Sequence, residues 1–391
     1  MTARRWRVAI AGAGPAGLFL AEELLQSPHP IEIEFFEQMP EPFGLVRYGV
    51  APDHPHTRRV ALHLERILAH PRVRLHTCAR VGRDLSLDEL RARFDAVAIA
   101  TGAADDRTLD IPGETLPNVW PSLHFAGWLN GHPKFSGLDI RLDVEEALIV
   151  GNGNVALDVA RILCRTPAEL AQFDLAPRAR ESMFRNCLRR IRVVGRRGPV
   201  QSSFGENELR EFGDLAGIDF RIDPIVAMPS AADEAELAAP QSDRQRAVVA
   251  ALREFASRPR PSEPRIELGF DFLRRPIAFS GSDAVKQATL EICRLDGEPF
   301  EQRAIPTGAL QRVDAGLVIV SIGHRGRPIP GLPFDEVRGV IPTRNHRVVP
   351  GVYAVGWIKR GARGLIGHNR RDAMETARVI LDDFENRNCT V

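Results

Sequence analysis

Several familiar signatures are missing from this 391-residue chain. Its five cysteines (Cys78, Cys164, Cys187, Cys293 and Cys389) are scattered, with no Cys-x-x-Cys pair and no metal-ligand spacing, so a cysteine-built metal site is excluded. Unpaired thiols fit a reducing compartment, and cytoplasmic residence is expected. No apolar stretch is long enough to span a bilayer. The first strand is expected by about residue 7, which leaves no room for an N-terminal targeting segment. A net charge of +1 gives no global attraction to nucleic acid or anionic lipid. What is present is ordinary for a soluble globular protein: 44% hydrophobic and 26% charged residues, in a chain long enough for two cores.

The informative features are two glycine fingerprints. Gly12-Ala-Gly14-Pro-Ala16-Gly17 follows the apolar run Val8–Ala11, and Gly151-Asn152-Gly153-Asn154-Val155-Ala156 follows Ala147–Val150 about 140 residues later. The glycines of such a turn allow a tight bend, let the backbone approach a pyrophosphate and let helix pack closely on strand. The pyrophosphate then sits on the positive end of the helix. One fingerprint is weak, but two, each between a strand and a helix, read as two dinucleotides brought together for redox chemistry. Disulfide reduction is excluded, because it needs a cysteine pair beside the redox cofactor.

Further apolar runs, Ala96–Gly102, Ile191–Val194, Leu317–Gly323 and Val352–Gly356, read as buried parallel strands. Helical stretches are expected around 56–69, 155–163 and 372–385, and 228–264 reads as one helix flanked by exposed loops. Alternation of strands and helices makes the fold class α/β, with two Rossmann-like domains.

The two units end differently. The strand Ile31–Phe36 runs into Glu37, 20 residues past Gly17, where a carboxylate can accept bonds from a ribose and would repel a 2′-phosphate. The alternative is a solvated acid at a strand end. In the second unit the matching strand ends in Arg196-Arg197, whose guanidiniums form forked bonds to phosphate. At roughly 1.5–3 kcal/mol per charged bond, the pair would favour NADPH over NADH by about a hundredfold or more. The bland alternative is a solvated basic turn, and about 40 residues between fingerprint and arginines must loop out for the phosphate reading to hold. Gly356-Trp357-Ile-Lys-Arg-Gly361 suits a flat ring near a planar cofactor, although a lone tryptophan is more often core.

Five stretches together resemble the adrenodoxin reductase family, NADPH–ferredoxin reductases built on the glutathione-reductase plan. They are Ala11–Gly17, Pro42–Pro55, Gly151–Arg161, Val194–Pro199, and Gly356–Gly361 with Ile366-Gly367. The resemblance implies a discontinuous FAD domain (1–106 and 323–391) with an inserted NADP domain (107–322). It assigns FAD to Gly12, Gly14, Ala16, Gly17, Glu37, Leu45, Val81, Trp357, Gly364, Leu365 and Ile366. NADPH is assigned to Asn152, Gly153, Asn154, Val155, Arg196, Arg197, Glu208 and Gly364. His54, Asp158 and Glu211 match positions near the meeting of flavin and nicotinamide, as catalytic candidates. Ala362, Arg363 and His368 depart from the family pattern, and the chain is short for it, with trimmed loops expected.

The implied reaction passes a hydride from NADPH to FAD, then single electrons to an iron–sulfur ferredoxin that feeds a haem monooxygenase or another ferredoxin-dependent enzyme. The partner would be small and acidic. Arg178, Arg180, Arg185, Arg189, Arg190 and Arg192 offer either a docking surface for it or merely a solvated basic helix. Nothing in the sequence asks for more than a monomer. A flavin monooxygenase would need a substrate pocket that no motif suggests. A non-catalytic flavin sensor would not need two complete dinucleotide sites.

Overall fold

The computed structural model describes residues 5–388. The chain divides into two compact units. The first contains the chain up to Val50, His54–Arg107 and everything from Gly323 on; the second contains Thr108–Ile322 together with Ala51–Asp53. Within that second unit the Asp53 carboxylate is bound to Arg161, 108 residues downstream, and to Arg165.

The first unit opens with β1 (Trp6–Ala11), α1 (Pro15–Leu25) and β2 (Ile31–Phe36). The short helices α2 (Leu45–Tyr48) and α3 (Pro55–Arg58) and the longer α4 (Val60–Leu68) lead to β3 (Val73–His76), α5 (Leu87–Arg93), β4 (Ala96–Ile99) and β5 (Asp105–Asp106). Residues of β1 and β4 are almost wholly buried, which is why both read as continuous apolar runs.

The second unit runs from β6 (Val119–Pro121) and α6 (Ser122–Leu129) to β7 (Glu146–Val150), α7 (Asn154–Cys164), α8 (Pro167–Leu170), α9 (Pro177–Phe184) and β8 (Arg190–Val194). It continues through α10 (Glu206–Arg210), β9 (Ile218–Ile222), α11 (Ala231–Ala238), α12 (Asp243–Ser257) and β10 (Ile266–Asp271). The antiparallel β11 (Arg274–Ser280), β12 (Gln287–Asp296) and β13 (Arg303–Asp314) precede β14 (Leu317–Val320). Back in the first unit come β15 (His324–Arg325), β16 (Arg347–Val349), β17 (Val352–Ala354), α13 (Trp357–Arg360) and α14 (Ile366–Asn388).

Each unit is built on a six-stranded sheet, in the order β16-β17-β4-β1-β2-β3 and β6-β14-β7-β8-β10-β9 respectively. All neighbours in both are parallel except the edge pair β16–β17. Apolar side chains cover both faces of each sheet, giving two cores per unit. In the first, Trp6 stacks flat on Phe384 of α14 at 4.1 Å between ring centroids, tying the late helix to the first strand.

One expectation is corrected. The 228–264 segment holds two helices, α11 and α12, rather than one. Asp233 and Glu236 of α11 are buried, satisfied by Gln201, Gln302 and the Phe300 amide, and α12 sinks Val248, Val249, Leu252 and Phe255 into the core. The low apolar density misleads because buried acids replace apolar residues on one helix.

Candidate dinucleotide sites

Complete capping boxes begin α5 (Ser86 with Glu89), α8 (Thr166 with Glu169) and α11 (Ser230 with Asp233). The two helices that follow the glycine fingerprints lack one. Gly14 caps α1 and Gly153 caps α7, neither with a side-chain bond, so no capping side chain occupies the place of an anion at either helix start. A Cβ added at either glycine would meet nothing within 4 Å, whereas one at Gly12 would stand 2.6 Å from the Ala100 oxygen and one at Gly17 would overlap the Gly12 carbonyl oxygen. The glycines therefore do different work. Gly12 and Gly17 allow close packing; Gly14 and Gly153 keep a cradle clear.

In the first unit Glu37 is buried at the end of β2. Its carboxylate accepts from the Ala13 amide at 2.8 Å and the Met39 amide at 2.9 Å. Burial raises its pKa, and the Met39 and Ala13 amides oppose the rise. With the Gln38 amide as a third donor, the carboxylate keeps one lone pair for a ribose hydroxyl. The Pro42–Val50 segment folds over the same turn. The Phe43 amide donates to the Ala13 oxygen at 2.8 Å, and Phe43 holds the left-handed conformation (φ 83°) that a bulky residue seldom adopts. Leu45 then starts α2. Val81 is buried beyond Ala79, whose amide donates to the Glu37 oxygen.

At the end of β17, Gly356 (φ 80°) lies so close to α1 that a Cβ there would be 2.5 Å from the Ala16 methyl carbon. Trp357 follows, partly exposed, its indole Nε1 buried and without a hydrogen-bond partner among the described residues. Gly364 also has positive φ, Leu365 is exposed, and Ile366 begins α14. The Leu365 amide donates to His368 Nδ1 at 3.1 Å, so this departure from the family pattern serves as a local cap. A clear cradle at a helix N-terminus, a buried acid at the strand end and an orphaned indole N–H fit an adenine dinucleotide that carries a flat ring.

In the second unit β8 lies directly beside β7, with Val150 opposite Val194 and the Gly151 amide donating to the Val194 oxygen at 2.9 Å. The intervening residues form the excursion α8–α9, so the spacing objection falls away. A Cβ on Gly195 would collide with the Asn152 side chain, which places that amide against the end of β8. Arg196 and Arg197 come next, both exposed, and neither is ion-paired among the described residues. Asn154, the first residue of α7, accepts from the Gly205 amide and donates to Glu208 Oε1, each at 2.8 Å, with Val155 beside it.

The remaining candidates are held differently. Asp158 and Glu211 both bind Arg161, at 2.8 and 3.0 Å. That guanidinium is fully buried and forks onto Asp53 at 2.7 and 2.9 Å, while Arg165 adds a bond to Asp53 at 2.9 Å. Burial alone would raise the Asp53 carboxyl, but the Arg161 bond and the Arg161 and Arg165 charges outweigh it and hold it at about 2. Sequence offers only the helical Asp158–Arg161 spacing as a signal; the partner Asp53 is too remote to be read. His54 stands in the first unit at the N-cap position of α3, half-buried.

Most of the arginines offered for docking are engaged within their own unit. Arg178 and Arg180 donate to the Gly137 and Phe173 oxygens, Arg185 pairs with Glu181, Arg190 with Glu146 and Glu267, and Arg192 with Asp271. His346, Asp372 and Glu375 approach one another closely enough to hold a cation, but the Lys359 ammonium already lies on His346 and Asp372. The four described cysteines are free, and Cys389 lies outside the described residues. No described helix is long and apolar enough to cross a membrane.

Residues 6–193 match the family described as pyridine nucleotide-disulphide oxidoreductase. The chain is 40% identical to the NADPH-ferredoxin reductase FprA of Mycobacterium tuberculosis, over 98% of this chain and 85% of that protein. It is 37% identical to the mitochondrial NADPH:adrenodoxin oxidoreductase of Salvelinus fontinalis, over 97% of this chain and 78% of the other. The solved structure of Mycobacterium tuberculosis FprA in complex with NADPH superposes with a TM-score of 0.92 at 38% identity, covering 98% and 86% of the two chains. A thioredoxin reductase of T. acidophilum shares the fold alone, at 15% identity and a TM-score of 0.55.

Proposed function

The chain belongs to the family of NADPH–ferredoxin and adrenodoxin reductases, and from that premise we propose that it is an FAD-dependent ferredoxin–NADP⁺ reductase using the residues described above. The observation that carries the reading is the contrast between two otherwise parallel sites. Both offer an uncapped helix N-terminus, but one ends in a buried acid and the other in two unpaired arginines.

The residues of the first site would hold FAD, which would supply the two-electron to one-electron conversion that lets a hydride donor serve an iron–sulfur carrier. The chain's own part is mainly positioning. The α1 N-terminus with Gly12, Gly14, Ala16 and Gly17 takes the FAD pyrophosphate, and Glu37 its ribose. Leu45, Val81, Trp357 and the Gly364–Ile366 backbone line the rest. The Gly153 turn with Asn152, Asn154 and Val155 takes the NADPH pyrophosphate, Arg196 and Arg197 its 2′-phosphate, and Glu208 keeps Asn154 oriented. Asp158 and Glu211 are fastened to Arg161, so their assigned role is electrostatic, and His54 is the proton-handling candidate.

The same reading makes the partner a small acidic ferredoxin and the enzyme a cytoplasmic monomer. The unpaired thiols support that compartment. Because most arginines of 178–192 are already bonded, the docking charge must come from elsewhere as well. The test is NADPH-driven cytochrome c reduction by the purified protein, with and without a low-potential ferredoxin, and with NADH as control. Strong stimulation by ferredoxin with preference for NADPH is the expected result. Flavin reduction without onward transfer to any ferredoxin would overturn the partner assignment.

A further inference from the structure

One buried carboxylate outside the fingerprints gathers an unusual set of donors. Asp372 lies in the second turn of α14 and is 5% exposed. Its Oδ2 accepts from the Gly356 amide at 2.6 Å and from Arg360 Nε at 3.1 Å, and its Oδ1 accepts from Lys359. All three donors belong to one turn, Gly356–Arg360, immediately after β17. Arg360 reaches α14 again at Asn369 Oδ1 (2.7 Å), and Lys359 also touches His346 Nδ1 at 2.8 Å. His346 in turn meets the Thr376 hydroxyl at 2.9 Å, and that hydroxyl donates to the Asp372 carbonyl at 2.7 Å.

A carboxylate that binds two cations and one amide of a five-residue turn fixes that turn. Gly356 is pressed against Ala16, two residues past the Gly14 cradle, and the next residue is Trp357 with its unpartnered indole N–H. The strands β17, β4 and β1 are successive neighbours, so the turn stands at the carboxyl ends of the strands that carry the first dinucleotide site, where ligands of open α/β sheets bind. We propose that Asp372 is a positioning residue for the flavin: through the Gly356 amide, Lys359 and Arg360 it sets where Trp357 stands over the FAD crevice. The proposal rests on the assignment of FAD to the first unit, and goes beyond it by naming a buried residue outside the set assigned to contact the cofactor.

Three charge-assisted bonds at one buried group are strong enough to be read in a single substitution. Asp372→Asn keeps the size and an acceptor for the Gly356 amide but removes the charge that draws in both cations. The expected result is weaker FAD binding by about tenfold, the loss of roughly one charge-assisted bond. A shift of the visible flavin absorption and of the quenching of flavin fluorescence should accompany it as Trp357 moves. FAD titration of the apoprotein and the spectrum of the reconstituted protein measure both without turnover. Asp372→Glu restores the charge and should recover much of the affinity. If the folded Asn variant binds FAD within about twofold of wild type with an unchanged spectrum, the proposal is overturned. If that variant does not fold as apoprotein, Lys359→Gln decides instead, with the same two readouts: a spectral shift supports the proposal and an unchanged spectrum overturns it. None of these readouts involves ferredoxin, so failure of the partner assignment would leave them intact.

Discussion

At the scale of single residues, charge is placed by what surrounds it. Arg196 and Arg197 form no ion pair among the described residues, so each should contribute mainly to holding a phosphate. Replacing either by alanine is expected to lower kcat/KM for NADPH by about tenfold, while NADH is affected little. Equal losses with the two cofactors in steady-state kinetics would refute the 2′-phosphate assignment. Asp53 shows the opposite case, a carboxylate spent entirely inside the fold. Asp53→Asn leaves the Arg161 guanidinium buried with a weaker partner and should cost about 3 kcal/mol of stability, measurable by urea unfolding. Because the folded pKa is depressed from 3.8 to about 2, the stabilisation is complete above the ordinary carboxylate range and vanishes as pH falls through that window. Wild type should therefore lose roughly 2 kcal/mol between pH 5 and pH 2 that the Asn variant does not. Parallel acid-unfolding curves for the two proteins would contradict this. Glu37 was legible in the sequence because its partner glycines lie within one β–α–β unit. Asp53 and Asp372 were not, since neither carboxylate's burial is encoded locally.

Among the elements, α1 and α7 separate packing from binding. Gly17→Ala must push α1 off β1, because the new methyl overlaps the Gly12 carbonyl oxygen, and both the apoprotein melting temperature and FAD content should fall. Gly14→Ala meets no protein atom and sits at φ −85°, so the apoprotein should melt as wild type does while FAD binding is lost. Gly153→Ala is its counterpart: FAD content is kept and the KM for NADPH rises several-fold. A Gly14→Ala protein purified with full flavin content would sink the cradle argument. Buried parallel strands could be read directly from apolar runs such as Ala147–Val150. The antiparallel β11–β13 could not, because β13 is largely exposed and carries no strong alternation. Nor could the burial of Asp233 and Glu236, which depends on Gln201 and Gln302, remote in sequence.

For the whole molecule, two units with separate cores and separately assigned ligands in the proposed reading make a thermodynamic prediction. Calorimetry should resolve two unfolding transitions, one raised by FAD and the other by NADP⁺, each by RT ln(1 + [L]/Kd). A single transition moved equally by both ligands would count against independent units. The broad plan was readable from sequence because each half repeats strand, glycine turn and helix. The grouping of Ala51–Asp53 with the second unit was not, since the Asp53 partners Arg161 and Arg165 lie more than a hundred residues downstream.

The position of β17 has a consequence for how the protein is made. This strand pairs with β4, Val352 opposite Val97, and the turn after it closes against α1. On the ribosome, everything from Thr108 to Ile322 emerges after β1–β4 but before the strand that completes their sheet. On the proposed assignment of FAD to this sheet, stalled nascent chains that end before β17 should therefore carry no flavin, and those that extend past the turn after it should be yellow.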